Sequence, residues 1–259
     1  MKRYRISFAG AGRVADTLCR EFFSRGHTII QIASLNRRSS IELSSACNAI
    51  PAENLNFDRE CDIIIVAVPD NRLQEVLAGI RYAGNPILAH TAGSFGIEVF
   101  PDNILRKGVF YPLQTFSKSR KVNLEEVPFF LEASDSDTMN ELRNVALLIS
   151  GKIYESSARD RQILHLAAVF ACNFTNHMYT LAGRISNMTS FGFEVLKPLI
   201  AETARKALET DPEIAQTGPA IRNDTDTLKK HLELLSFSEE FKNIYKTLTD
   251  SIINYYRNK

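Results

Sequence analysis

A chain of 259 residues with 44% hydrophobic and 24% charged side chains has the composition of a soluble globular protein, long enough for one large or two modest cores. Its 31 basic and 30 acidic residues leave a formal charge of +1, which excludes a global field that would favour nucleic acid or an anionic membrane. Cys19, Cys47, Cys61 and Cys172 form no CxxC pair and stand in apolar or helical contexts, so neither a disulfide framework nor a zinc site is expected. Reduced, buried thiols in a cytoplasmic protein are the expectation.

Met1-Lys2-Arg3 runs straight into Tyr4-Arg5-Ile6-Ser7-Phe8-Ala9, too short and too strand-like a start for a signal peptide. Residues 4–9 read as a strand, 13–25 as a helix closed by Gly26, 28–34 as a second strand and 39–49 as a second helix. A third strand over 62–68 has the continuous core Ile63-Ile64-Ile65-Val66 of a parallel strand covered on both faces. Pro69-Asp70 ends it and starts a helix over 71–79. Short strands at 86–90, 109–111 and 128–131, an amphipathic helix at 138–149 and a strand at 152–155 complete the alternation. The fold class predicted is α/β: a Rossmann doubly wound, mainly parallel sheet.

Beyond residue 156 no strand pattern recurs, and helices are expected at 158–187, 194–210, 225–235 and 238–256, with a short one opened by Asp211-Pro212-Glu213. The pattern divides the chain into a nucleotide-binding domain, 1–156, and an all-α C-terminal domain, 157–259. Residues 162–182 carry no Lys, Arg, Asp or Glu, but His165, Asn173, Thr175, Asn176 and His177 make a helix buried between domains or subunits a better reading than a membrane span.

Gly10-Ala11-Gly12-Arg13-Val14-Ala15 is a GxGxxA sequence set between the first strand and the first helix. There Gly10 permits a tight turn, Gly12 lets backbone approach a pyrophosphate, and Ala15 lets helix pack closely on strand, with the phosphates facing the helix N-terminus. At the end of the second strand, where an acid would bond a ribose 2′-hydroxyl, stands Ser34-Leu35-Asn36-Arg37-Arg38-Ser39. Asn36, two guanidiniums and Ser39 suit a 2′-phosphate, so the expected cofactor is NADP (NADPH). The bland alternative is a pair of solvated arginines. Val68 and Pro69 end the third parallel strand at the carboxyl edge and are expected to line the cofactor's path.

His90-Thr91-Ala92-Gly93-Ser94 follows a strand at the same edge, which makes His90 a candidate proton donor and Ser94 a candidate substrate contact. A histidine fastening its own loop is the alternative for His90. Tyr111-Pro112-Leu113-Gln114-Thr115-Phe116 comes from the same edge and is expected to shape the crevice. Asn173 is a candidate to orient a substrate carbonyl or carboxylate, or else part of a buried polar ladder with His177 one turn on. A metal site from His165 and His177 lacks a third ligand at matching spacing. Arg222 is a candidate carboxylate clamp, or else an ion-pair partner of Asp224, itself a plausible helix N-cap.

The succession GAGRVA, NRRS, VAVPD, HTAGS and YPLQTF, followed by Gly218-Pro219-Ala220-Ile221-Arg222-Asn223-Asp224-Thr225 with His231 and Leu232, resembles a group of Rossmann-like NADP oxidoreductases with a helical C-terminal domain. These are relatives of pyrroline-5-carboxylate reductase and of deazaflavin-dependent NADP reductases. The resemblance implies a homodimer formed through the helical domain, which completes the active site against the cofactor. Related β-hydroxyacid dehydrogenases carry a lysine one turn before an asparagine on the interdomain helix; Val169 stands at that place here. Hydride transfer to or from the C=N or C=O of a small metabolite, with or without a carboxylate, is the activity expected, with His90, Ser94, Asn173 and Arg222 as candidate catalytic residues. A non-catalytic NADPH-sensing dimer is the rival reading.

Overall fold

The computed structural model describes residues 2–117 and 120–257. Eight strands form one sheet: β1 (Arg5–Ala9), β2 (Thr28–Ala33), β3 (Ile50–Pro51), β4 (Ile63–Val66), β5 (Ile87–His90), β6 (Lys107–Pro112), β7 (Phe129–Ala133) and β8 (Ile153–Glu155). Their order is β8-β7-β6-β5-β4-β1-β2-β3. β1 to β6 are mutually parallel, β7 runs antiparallel to β6, and β8 is parallel to β7. The winding changes direction between β1 and β4, so the carboxyl edge there is a topological switch point, where open α/β sheets bind ligands.

The apolar run of β4 explains its central place. Ile63 and Ile65 pack into a cluster with Ile6, Phe8, Leu18 and Phe22 on one face, while Ile64 and Val66 join Leu73, Leu77 and Leu88 on the other. All four are buried, each worth about 1.5–3 kcal/mol relative to exposure. Helices α1 (Arg13–Ser24), α2 (Arg37–Ala46), α3 (Leu73–Gly79) and α4 (Ser136–Leu147) belong to this layered unit. β3 and a separate two-residue ladder, Asn56–Phe57 with Arg81–Tyr82, were not expected; elements that short carry no readable period. α2 begins two residues before the predicted 39, because Asn36 caps it by accepting a hydrogen bond from the Ser39 amide at 3.2 Å.

The helix predicted over 158–187 is α5 (Ala158–Ala168), a π-helical turn (Val169–Phe174) and α6 (Thr175–Ser186). α7 (Lys197–Glu209), α8 (Pro212–Ala215), α9 (Thr225–Leu234) and α10 (Glu239–Arg257) follow. The chain forms two compact units, Met1–Asn173 and Phe174–Lys259, a division later than the change from strand to helix at 156. α5 belongs to the first unit because Arg161 donates to the Phe95 and Ser156 carbonyls and pairs with Glu132, and Gln162 donates to the Ser94 carbonyl at 2.9 Å. The second unit buries a small core of Leu181, Leu235 and Phe241. The expectation of four buried thiols fails at Cys172, which is exposed on the π-helical turn, and at Cys61, which is half-buried; Cys19 and Cys47 are buried. Among the described residues no helix is long and apolar enough to cross a membrane.

Candidate active site

β1 ends into Gly10, whose φ of +117° is closed to most side chains; a Cβ there would come within 2.1 Å of the Ala67 carbonyl oxygen at the end of β4. The turn thus needs glycine both for its conformation and for the close approach of two neighbouring strands. Gly12 is the N-cap of α1, with no side chain capping the helix and nothing within 4 Å of where its Cβ would stand. Open space over the unpaired first amides of a helix is a seat for phosphate.

That seat opens on a groove of about 450 Å³ lined by Gly10, Ala11, Gly12 and Arg13 from the first turn, Ser34, Asn36 and Ser39 after β2, and Val68, Pro69 and Arg72 after β4. Among the described residues no carboxylate lines it, and the guanidiniums of Arg13 and Arg72 do. These are the donors and charges that a dinucleotide pyrophosphate requires, so the residues fit an NADP-type cofactor. Val14, expected here, is half-buried and packs on the core, leaving only its backbone for a ligand. Arg37 lines a neighbouring hollow of about 580 Å³ that shares Ser34 and Leu35 with the groove, and pairs with Glu53 at 3.6 Å. Arg38 pairs with Glu42 at 2.8 Å. All four of these side chains are exposed, and such pairs are weak enough to yield to a phosphate dianion. Arg72 escaped the sequence reading; its Nε is buried without a hydrogen bond inside the protein, and its Nη2 pairs with Glu75 at 2.9 Å.

His90 corrects an expectation. The ring is fully buried and stacked on Phe100, with centroids 5.4 Å apart. Its Nδ1 accepts from the Ala92 amide at 3.2 Å, which leaves the ring hydrogen on Nε2 to donate to the Gly96 carbonyl at 3.2 Å. Burial, opposed by the Gly96 carbonyl and reinforced by the nearby Arg161 charge, lowers its pKa to about 4. A neutral imidazole with both nitrogens committed to backbone fastens its loop and has no proton to give near neutrality.

At the far end of the same edge, β6 delivers Tyr111, whose hydroxyl shares a 3.1 Å hydrogen bond with His165 Nδ1 on α5. The phenol ring lies against Gly93 so closely that a Cβ there would fall 2.7 Å from Cζ. A pocket of about 390 Å³ is lined by Tyr111, Gln114, Thr115, His165 and, from the π-helical turn, Cys172 and Asn173. Asn173 thus lines one pocket with Tyr111 and His165, whereas Ser94 is not among its described lining and shows only its carbonyl accepting from Gln162 at 2.9 Å. The sequence points to Tyr111 only as part of a segment shaping the crevice; its partner lies 54 residues away, and no local signal reports it. His177 is on α6 in the second unit. Arg222 is exposed in the loop before α9. Asp224 caps α9, accepting from the Thr227 amide at 3.1 Å; the Thr227 hydrogen bonds, with the Arg222 charge adding to them, lower its pKa.

Two family models match the chain. One described as NADP oxidoreductase, coenzyme F420-dependent, covers residues 5–92, and a domain of unknown function covers 127–252. A structure titled "putative NADP oxidoreductase" from Bacteroides fragilis is 38% identical over 97% of this chain and 98% of its own, with a TM-score of 0.89. A reductive aminase from Aspergillus terreus, in complex with NADPH and ethyl-5-oxohexanoate, is 11% identical over 98% and 95%, with a TM-score of 0.72. A pyrroline-5-carboxylate reductase from Coxiella burnetii is 16% identical over 99% and 98%, with a TM-score of 0.56; these two show likeness of fold. No curated protein matches. With a glycine turn open over the α1 N-terminus, a groove free of carboxylates and a near full-length match to the Bacteroides protein, the chain belongs to the NADP oxidoreductase family in which a Rossmann nucleotide-binding domain precedes a helical domain.

Proposed function

We propose that the chain reduces the C=N or C=O bond of a small metabolite with NADPH. The groove over the uncapped N-terminus of α1, basic and without a carboxylate, is the observation that carries this reading. Gly10, Ala11, Gly12, Arg13 and Val14 hold the pyrophosphate, chiefly by backbone; Asn36, Arg37, Arg38 and Ser39 hold the 2′-phosphate; Val68 and Pro69 line the path toward the nicotinamide. When bound, the cofactor supplies hydride. Ser94 and Asn173 orient the substrate, and Arg222 in the helical unit is the candidate for a substrate carboxylate.

A homodimer formed through the helical unit belongs to the same proposal. With three residues in its buried core, that unit leaves Met188, Phe191, Leu199, Leu208, Ile214 and Leu234 exposed, Leu208 at 89%. Apolar side chains in such number call for a covering surface, and a second copy supplies one.

NADPH oxidation followed by absorbance against cyclic imines, neutral ketones and 2- and 3-oxo acids tests the reaction. Turnover of one class is expected, with Asn173→Ala and Arg222→Ala losing turnover while NADPH binding is kept. Unchanged kinetics in both variants would remove those residues, and tight NADPH binding without turnover of any compound would point to a sensing dimer.

A further inference from the structure

We infer that Tyr111 is the proton donor to the substrate and that His165, hydrogen-bonded behind it, restores its proton, in a pocket that seats an uncharged carbonyl or imine group. The inference rests on the oxidoreductase reading and deepens it. It fills the role that His90 cannot take, since the His90 ring nitrogens are both engaged by backbone.

Tyr111 is the penultimate residue of β6, at the carboxyl edge. Along that edge the strands pass from β1 and β4, which carry the nucleotide groove, to β5 and then β6. The hydroxyl is held from two sides: the ring rests against Gly93, where any larger residue would displace it, and the oxygen meets His165 Nδ1 at 3.1 Å. Tyr111 is buried while His165, on α5, is exposed, so the pair links the pocket to solvent. Burial, with the Asp70 charge adding to it, raises the pKa of Tyr111 and keeps the phenol protonated near neutrality. The described lining of the pocket contains Leu113, Val169 and Asn173 but no Lys, Arg, Asp or Glu. A charged group at the reacting end would lose hydration there without an opposite charge to replace it.

The step balances. As hydride, with its two electrons, arrives at the carbon of C=N or C=O, the O–H bond of Tyr111 breaks and its proton joins the nitrogen or oxygen. The phenolate takes a proton from Nδ1 of His165 as Nε2 of the same ring takes one from water, which leaves as hydroxide.

The test begins with a titration that needs no turnover. 2-Pyrrolidone, a neutral lactam whose carbonyl accepts a hydrogen bond, is titrated calorimetrically into the protein saturated with NADP+. Tyr111→Phe should weaken it about tenfold and leave NADP+ affinity unchanged. On a substrate that the wild type reduces, Tyr111→Phe should lower kcat by about 10²–10⁴. His165→Ala should lower kcat with KM kept, and added imidazole should restore part of the loss. Absence of lactam binding, equal binding to Tyr111→Phe, a kept kcat in that variant, or no rescue by imidazole would each overturn the inference. Failure of the wild type to reduce any compound would sink the oxidoreductase reading, and the lactam titration would still decide whether Tyr111 takes a carbonyl in this pocket.

Discussion

An imidazole can give a proton near neutral pH only where its cationic form is tolerated, and the surroundings of His90 do not tolerate it. Its folded pKa of about 4 lies below the ordinary value, chiefly through burial. Between about 6.5 and 4 the unfolded chain binds a proton that the folded chain refuses. The contribution is therefore fully present above about pH 6.5 and is lost as pH falls toward 4, to the extent of about 3 kcal/mol. His27, also lowered by burial, acts in the same direction. Glutamine can reproduce both backbone hydrogen bonds without titrating, so His90→Gln should shrink the stability difference between pH 7 and pH 4.5 by about 2–3 kcal/mol in urea unfolding. An unchanged difference would mean that the ring is hydrated. The position of His90 at the end of a parallel strand was readable from the sequence, whereas its burial was set by Phe100 and the Gly96 carbonyl folding over it. Gly10 and Gly12 were readable because their work is local backbone geometry. Arg72 and Tyr111 were not, because an orphaned Nε and a phenol–imidazole contact arise from tertiary placement.

At the scale of elements, the parallel strands and long helices follow from period and apolar runs, and the expected architecture stands. What the period could not report is the π-helical turn at Val169–Phe174, since widening a helix by one residue leaves the apolar spacing readable on either side. Nor could it report where α5 is fastened. Arg161 is fully buried, is paired with Glu132 and bonded to the Ser156 and Phe95 carbonyls, and has an Nε without a partner. It ties α5 both to β7 and to the loop that carries Gly93 and Ser94. Removing one partner of a buried pair leaves an uncompensated charge at a cost of about 3–5 kcal/mol. Glu132→Gln should lower the thermal midpoint accordingly while the β1–α1 turn still binds NADPH. A loss below about 1 kcal/mol would place this pair with ordinary surface ion pairs.

For the whole molecule, the first of two compact units carries the nucleotide groove and the Tyr111 pocket, and the second buries a small cluster of Leu181, Leu235 and Phe241 while leaving several large apolar side chains exposed, the observation behind the proposed homodimer. Light scattering should give twice the 29.1 kDa of one chain, and Leu208→Glu with Leu234→Glu should shift the mass toward one chain. A single-chain mass for the wild type would remove the homodimer from the account. The central claim is that the groove between β2, β1 and β4 is built for NADP(H), and nicotinamide fluorescence titration addresses it most directly. NADPH should bind at least about tenfold more tightly than NADH, an advantage of about 1.4 kcal/mol, and Arg37→Ala with Arg38→Ala should abolish the preference while keeping NADH affinity. Equal affinity for the two cofactors in the wild type and in the double variant would contradict it.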